Sequence, residues 1–189
     1  IQSAARERMD KSTKAAEDEF MAGVSIPASD DTAVAWIMYQ SLDSSVQYCV
    51  GNKYDPTERT LGIVANNAEI TGEGTYTVSL DFSNCGIPKG VLFSALGIYN
   101  GEKFFPDYTI SIDEVKVNGE VRELSGKEYT CSDDGNCTRV NLYNQWVTSI
   151  PDDCRYADGD KSGLSATVLP VKDNEILSTL EITFTYSAP

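Results

Sequence analysis

The sequence predicts an all-β protein, an antiparallel β-sandwich of jelly-roll-like form preceded by one N-terminal α-helix. Three observations carry that expectation. Tyr76, Val78, Leu80 and Phe82 alternate with Thr75, Thr77, Ser79 and Asp81, the period of a strand with one buried face and one wet face. Leu180, Ile182, Phe184 and Tyr186 alternate with Glu181, Thr183 and Thr185 in the same way. Asn118-Gly119 follows another apolar alternation and is the strongest short hairpin signal in the chain. Strands solvated on one face belong to antiparallel sheets.

The elements follow in order. Residues 3–22 read as a helix, because Ala5, Met9, Ala16 and Phe20 recur at helical spacing while Glu7 with Lys11 and Asp10 with Lys14 form i to i+4 pairs. Gly23 ends it and Pro27 prevents its return. The apolar stripe is thin, so residues 1–27 are expected to be a helix and linker, and residues 28–189 the sandwich module. Ala33 to Tyr39 is continuously apolar, the pattern of a strand covered on both faces. Ser41 to Thr60 is polar and irregular and places Tyr48 and Tyr54 on exposed connections. Gly72 and Gly74 mark a tight corner before the strand of Tyr76.

Val91 to Tyr99 is a second apolar strand, followed by an aromatic loop, Phe104-Phe105-Pro106-Asp107-Tyr108. Ile110 and Ile112 share one parity while Val115 and Val117 share the other, so a β-bulge is expected at Asp113-Glu114. The Asn118-Gly119 turn returns Glu120 to Leu124 beside its partner, and Thr138, Val140 and Leu142 continue the sheet. Tyr143 to Ile150 reads as one or two helical turns before Pro151.

Composition narrows the function classes. The 189 residues suit one domain with a real core. Fifteen Lys and Arg against 29 Asp and Glu give a formal charge of −14, which repels phosphate backbones and anionic lipid. Nucleic acid is therefore a poor partner. An uncharged ligand such as a neutral glycan, or a protein, suits such a surface better. No apolar run is long enough to cross a membrane as a helix. Ile1 to Ala22 is charged throughout and is not a signal peptide, so the chain is expected to be cytosolic or the processed product of an exported precursor.

Five cysteines stand at 49, 85, 131, 137 and 154. Cys131 and Cys137 flank Ser-Asp-Asp-Gly-Asn, a turn-forming loop that predicts a local disulfide across a hairpin. The odd count leaves at least one thiol unpaired or intermolecular. With no histidine in the chain, zinc would need three or four thiolates, and no metal site is expected. The cysteine pattern favours oxidising export.

The absence of histidine also removes Ser-His, Cys-His and His-metal catalysis. Asp133 with Asp134 and Asp152 with Asp153 are paired acids, but adjacent acids in loops read as solvated turn residues, and no enzyme is expected. Asp158-Gly-Asp160-Lys-Ser162-Gly163 has the oxygen donors of a calcium loop, yet Leu169 stands where its twelfth ligand belongs. It reads as a polar turn in preference to a small structural calcium site. No other cofactor is implied.

Sugar-binding surfaces need exposed aromatic rings flanked by amides and carboxylates. Tyr48, Tyr54, Tyr99, Phe105, Tyr108 and Trp146 are the candidates. Trp36 lies in the first apolar strand and reads as core. Trp146 has Val147 and Ile150 at helical spacing, which favours packing, and borders the polar Asn144 and Gln145.

Ala35-Trp-Ile-Met-Tyr39, Ala68 to Phe82, Ala95-Leu-Gly-Ile98, Ile112-Asp-Glu-Val-Lys-Val-Asn-Gly119 and Asn141-Leu-Tyr-Asn-Gln-Trp146 resemble the β-sandwich modules repeated in secreted, multimodular proteins of gut Firmicutes, including surface amylases. The resemblance runs from about Thr32 to Tyr186 and rests mostly on structural motifs. It implies a non-catalytic carbohydrate-binding module, secreted or at the cell surface, acting on α-glucan or starch-like polysaccharide beside neighbouring modules. In one departure, Ser44-Ser-Val-Gln-Tyr48-Cys-Val50 keeps a tyrosine where those modules carry tryptophans. The alternative expectation is a structural or protein-adhesion module with no sugar site.

Overall fold

The computed structural model describes residues 29–50, 59–133 and 135–189. The expected helix at 3–22 and Tyr54 lie outside these residues. The described chain forms two antiparallel sheets. The first contains β1 (Ala33–Gln40), β2 (Gln47–Tyr48), β4 (Ala68–Ile70), β6 (Phe93–Tyr99), β9 (Thr130–Ser132) and β10 (Thr138–Asn144). Its order is β2-β1-β6-β10-β9, with β4 also paired to β1. The second contains β3 (Val64–Asn66), β5 (Gly74–Asp81), β7 (Thr109–Val117), β8 (Glu120–Val121) and β11 (Thr179–Ser187) in the order β3-β5-β11-β7-β8. One short helix, α1 (Gly101–Phe104), joins β6 to β7.

The half-buried strands are where periodicity placed them. In β5 the side chains of Val78 and Leu80 are buried, as is Phe82 just beyond it, while Thr75 and Thr77 face water. The opposing β11 buries Leu180, Ile182, Phe184 and Tyr186. Thr75 and Thr77 meet Thr185 and Thr183 in hydroxyl pairs on the outer face, at 3.2 and 3.0 Å. The corner before β5 is clasped by Tyr76, whose hydroxyl donates to Gly72 O at 2.9 Å. Each fully buried aliphatic or aromatic side chain contributes about 1.5–3 kcal/mol of transfer free energy.

The phase change in β7 is a bulge. Thr183 pairs with Glu114 and Phe184 with Ile112, leaving Asp113 unopposed. The extra residue keeps Ile110 on the core side before it and Val115 and Val117 after it. The Asn118-Gly119 turn has φ of 56° and 78°, the left-handed pair a tight hairpin demands. Glu120 and Val121 pair back onto β7, and Arg122 N still donates to Val115 O at 2.9 Å.

β1 is buried on both faces. Tyr39 packs against Phe82 of the opposite sheet with ring centroids 4.8 Å apart. Trp36, of opposite parity, donates its Nε1 hydrogen to Cys49 O at 3.2 Å, so chain following β2 covers the outer face. Both rings are fully buried. The expected helical turns at 143–150 are absent: Tyr143 and Asn144 continue β10, which bulges between Asn141 and Tyr143, and a turn follows. A hydrogen bond from Asn144 N to Ala166 O holds the strand extended there.

Candidate functional site

Five of the six aromatic candidates lie within the described residues, and the structure redistributes them. Tyr48 is fully buried in β2, opposite Tyr39 in the β1 ladder, and its hydroxyl accepts a hydrogen bond from Asn67 Nδ2 at 3.4 Å. It is a core residue and not a stacking platform, because the segment that looks irregular in sequence adds a strand to the first sheet. Phe105 and Tyr108 are half-buried against Tyr186, with centroid separations of 5.9 and 5.0 Å, and against each other at 5.3 Å. This aromatic cluster seals one end of the core. Tyr99 is half-buried at the end of β6 and packs on the same core.

Among the described candidates Trp146 is the one left in the open, 59% exposed. Its environment is ordered from below. Asn144 is buried, donates from Nδ2 to Asn141 Oδ1 at 3.2 Å, and accepts from Trp146 N through Oδ1 at 3.2 Å. Val147 N closes the turn onto Asn144 O at 3.3 Å. The backbone of the turn is thus fixed by buried amides while the indole projects into water. Gln145 and Thr148 beside it are exposed and supply polar groups. Helical spacing made Trp146 look like a packing anchor, and the loss of the helix is what frees it.

A separate open groove of about 490 Å³ runs along β7 and β8. Val121, Leu124 and Tyr156 give it apolar patches, and Arg122, Glu123, Lys127 and Glu128 give it charge. Glu128 is buried and accepts from Ile112 N at 3.1 Å. Arg122 forms a two-pronged pair with Glu175 and also donates to Pro170 O at 3.1 Å. The Glu175 carboxyl is held below its ordinary range, first by the hydrogen bonds from Arg122. Lys127 Nζ stands 4.3 Å from the centroid of the Tyr156 ring. Tyr156 meets the same criterion as the other loop aromatics, a ring among acids, and stands just before the Asp158–Gly163 stretch that resembles a calcium loop.

That stretch is organised around an ammonium group. Lys127 Nζ reaches Asp158 Oδ2 at 3.4 Å, Asp160 Oδ2 at 3.1 Å and Asp160 O at 3.0 Å. Asp160 also accepts from Ser162 N and Ser162 Oγ, and these bonds, with Lys127, hold its carboxyl at about 2. The loop is a polar turn whose two carboxylates share one lysine from a neighbouring segment. Among the described residues, no group of three or more acids and thiols is placed to hold a metal ion.

Cys131 and Cys137 do lie on a hairpin, but no disulfide joins them. Cys131 stands opposite Arg139 in the β9–β10 register, two positions from Cys137. Their thiols point to different acceptors, Arg139 O and Thr138 O. Diagonal neighbours on a ladder sit farther apart than directly opposed residues, the less favourable placement for a bridge.

No protein-family model, curated protein or solved structure matches the chain.

Proposed function

We propose that the chain is a non-catalytic carbohydrate-binding module, a jelly-roll-like β-sandwich of a secreted or cell-surface protein, with Trp146 as its stacking platform. The observation that carries this reading is the 59% exposed indole on a turn held by the buried amides of Asn141 and Asn144. A large ring left in water on a preorganised backbone offers a pyranose face about as much apolar contact as one residue can, with little ordering to oppose binding. The acidic balance of the chain suits a neutral polysaccharide, and starch-like α-glucan is the first to test.

A second reading, a protein-adhesion module, has its own support. Ile150 is 38% exposed a few residues beyond Trp146, and an apolar pair of that kind suits a protein surface. Affinity electrophoresis through gels of starch, glycogen, xylan, mannan or β-glucan separates the two. Retardation of the native chain in one gel, abolished by Trp146→Ala and retained by Tyr156→Ala, is the expected result. Unchanged mobility in every gel removes the carbohydrate reading and leaves adhesion.

A further inference from the structure

Beyond the β9–β10 hairpin, Thr130 is engaged on its second side by the segment around Arg155. Thr130 N donates to Arg155 O at 2.8 Å and Arg155 N donates to Thr130 O at 2.7 Å. This mutual exchange is a hydrogen-bonded antiparallel pair, with Thr130 and Arg155 directly opposed. The bridge is an isolated one, and the next residues outward on the two segments are Cys131 and Cys154, which the same register would set opposite each other at a non-hydrogen-bonded position. Such positions bring opposed Cα atoms to about 4.5 Å, with side chains on the same face, within the range of disulfide geometry. Both thiols are 4% exposed, and they share a small apolar cluster with Tyr129, separate from the main core that contains Cys137.

The segment carrying Cys154 is fastened on both sides of the cysteine. Asp153 Oδ2 accepts from Ser132 N at 2.8 Å. Arg155 pairs with Glu102 and donates from Nε and Nη2 to Tyr108 O at 3.2 and 3.0 Å. We propose that Cys131 and Cys154 are an oxidation site and form a cross-strand disulfide closing a loop of 24 residues, in place of the Cys131–Cys137 bridge the sequence suggests.

The oxidant is a disulfide, either a low-molecular-weight one such as glutathione disulfide or that of a thiol oxidoreductase. The Cys131 thiolate attacks one sulfur of the oxidant, forming a mixed disulfide and releasing one thiolate. Cys154 then attacks the Cys131 sulfur and displaces the second thiolate. One S–S bond is made in the protein as one is broken in the oxidant, two electrons pass to the oxidant, and the two cysteine protons end on its two released thiols. Burial pushes the Cys131 thiol up to about 11 and raises Cys154 as well, so the bridge forms during folding, before the segment docks and the thiolates become scarce.

The test is to refold the full chain in a glutathione and glutathione disulfide buffer, block remaining thiols under denaturing conditions, and map the peptides without reduction. Trypsin followed by cleavage before Asp133 and Asp134 separates Cys131 from Cys137. A linked peptide holding Cys131 and Cys154 is expected, persisting in Cys137→Ser and lost in Cys131→Ser and Cys154→Ser. The bridged chain should melt roughly 5–10 °C above its reduced form. Recovery of Cys131 linked to Cys137, or of Cys131 and Cys154 both blocked as thiols, overturns the proposal, and the wild-type map decides even if a variant fails to fold.

Discussion

Gly97 faces Trp36 across the β1–β6 ladder, and a Cβ at position 97 would lie 2.8 Å from the indole and 2.6 Å from Met38 Cε. The gap left by the missing side chain is filled by the edge of the fully buried Trp36 ring. Gly97→Ala should therefore destabilise the fold by about 1–3 kcal/mol, since the Met38 tip can turn aside but the rigid, fully buried indole cannot move without disturbing its packing. Thermal melting is the measurement, and an unchanged midpoint would show that the outer face repacks freely.

Tyr48 and Trp146 should exchange the behaviours that the bare sequence suggests for them. Tyr48→Ala empties a fully buried site and should cost about 3–5 kcal/mol, as large aromatic deletions do. Trp146→Ala removes an exposed ring and should leave stability within about 0.5 kcal/mol while weakening polysaccharide retention roughly tenfold or more. Parallel melting and affinity electrophoresis read both effects.

Asn118 serves the hairpin twice. Its backbone adopts φ of 56°, and its Oδ1 accepts from Ser178 N, Ser178 Oγ and Thr179 N while Nδ2 donates to Ile176 O. Asn118→Gly keeps the turn conformation and loses the side-chain bonds, whereas Asn118→Ala loses both. The expected ordering of melting temperature is wild type, then Gly, then Ala, with Ala about 1–2 kcal/mol below wild type.

The Arg122–Glu175 pair predicts an acid-side dependence. Both side chains are 19% exposed, and the Glu175 pKa is lowered in the folded chain. Its contribution is present above the unfolded glutamate value, about 4.3, and is lost as pH falls through the lower folded value. Glu175→Gln should cost about 1 kcal/mol at pH 7, and the difference from wild type should shrink as pH falls from 5 towards 3. Urea titrations across that range check the sign, and a difference that grows on acidification would contradict it.

The strands of Tyr76, Trp36 and Phe184, the bulge at Asp113 and the Asn118-Gly119 turn are legible in sequence. Each follows from a local rule: side chains alternate along an extended backbone, a parity change needs an extra residue, and left-handed backbone favours Asn and Gly. The candidate site is far less legible. Six aromatics satisfy the same compositional criterion, and only their surroundings separate a ring sealed in the core from a ring standing in water. Tyr156 and its partner Lys127 stand 29 positions apart in the chain, so no local pattern pairs them.

By itself the sequence determined the strand periodicity, the tight hairpin and an acidic chemistry that cannot use histidine. Tertiary structure alone decided that Tyr48 is core and Trp146 is not, that Lys127 ties down the Asp158–Asp160 turn, and that Thr130 stands opposite Arg155, which brings Cys131 and Cys154 into one apolar cluster apart from Cys137. The physical reason is common to all of them. Secondary structure answers to residues a few positions apart, whereas burial, ion pairing and thiol proximity depend on which distant segments meet across a sheet.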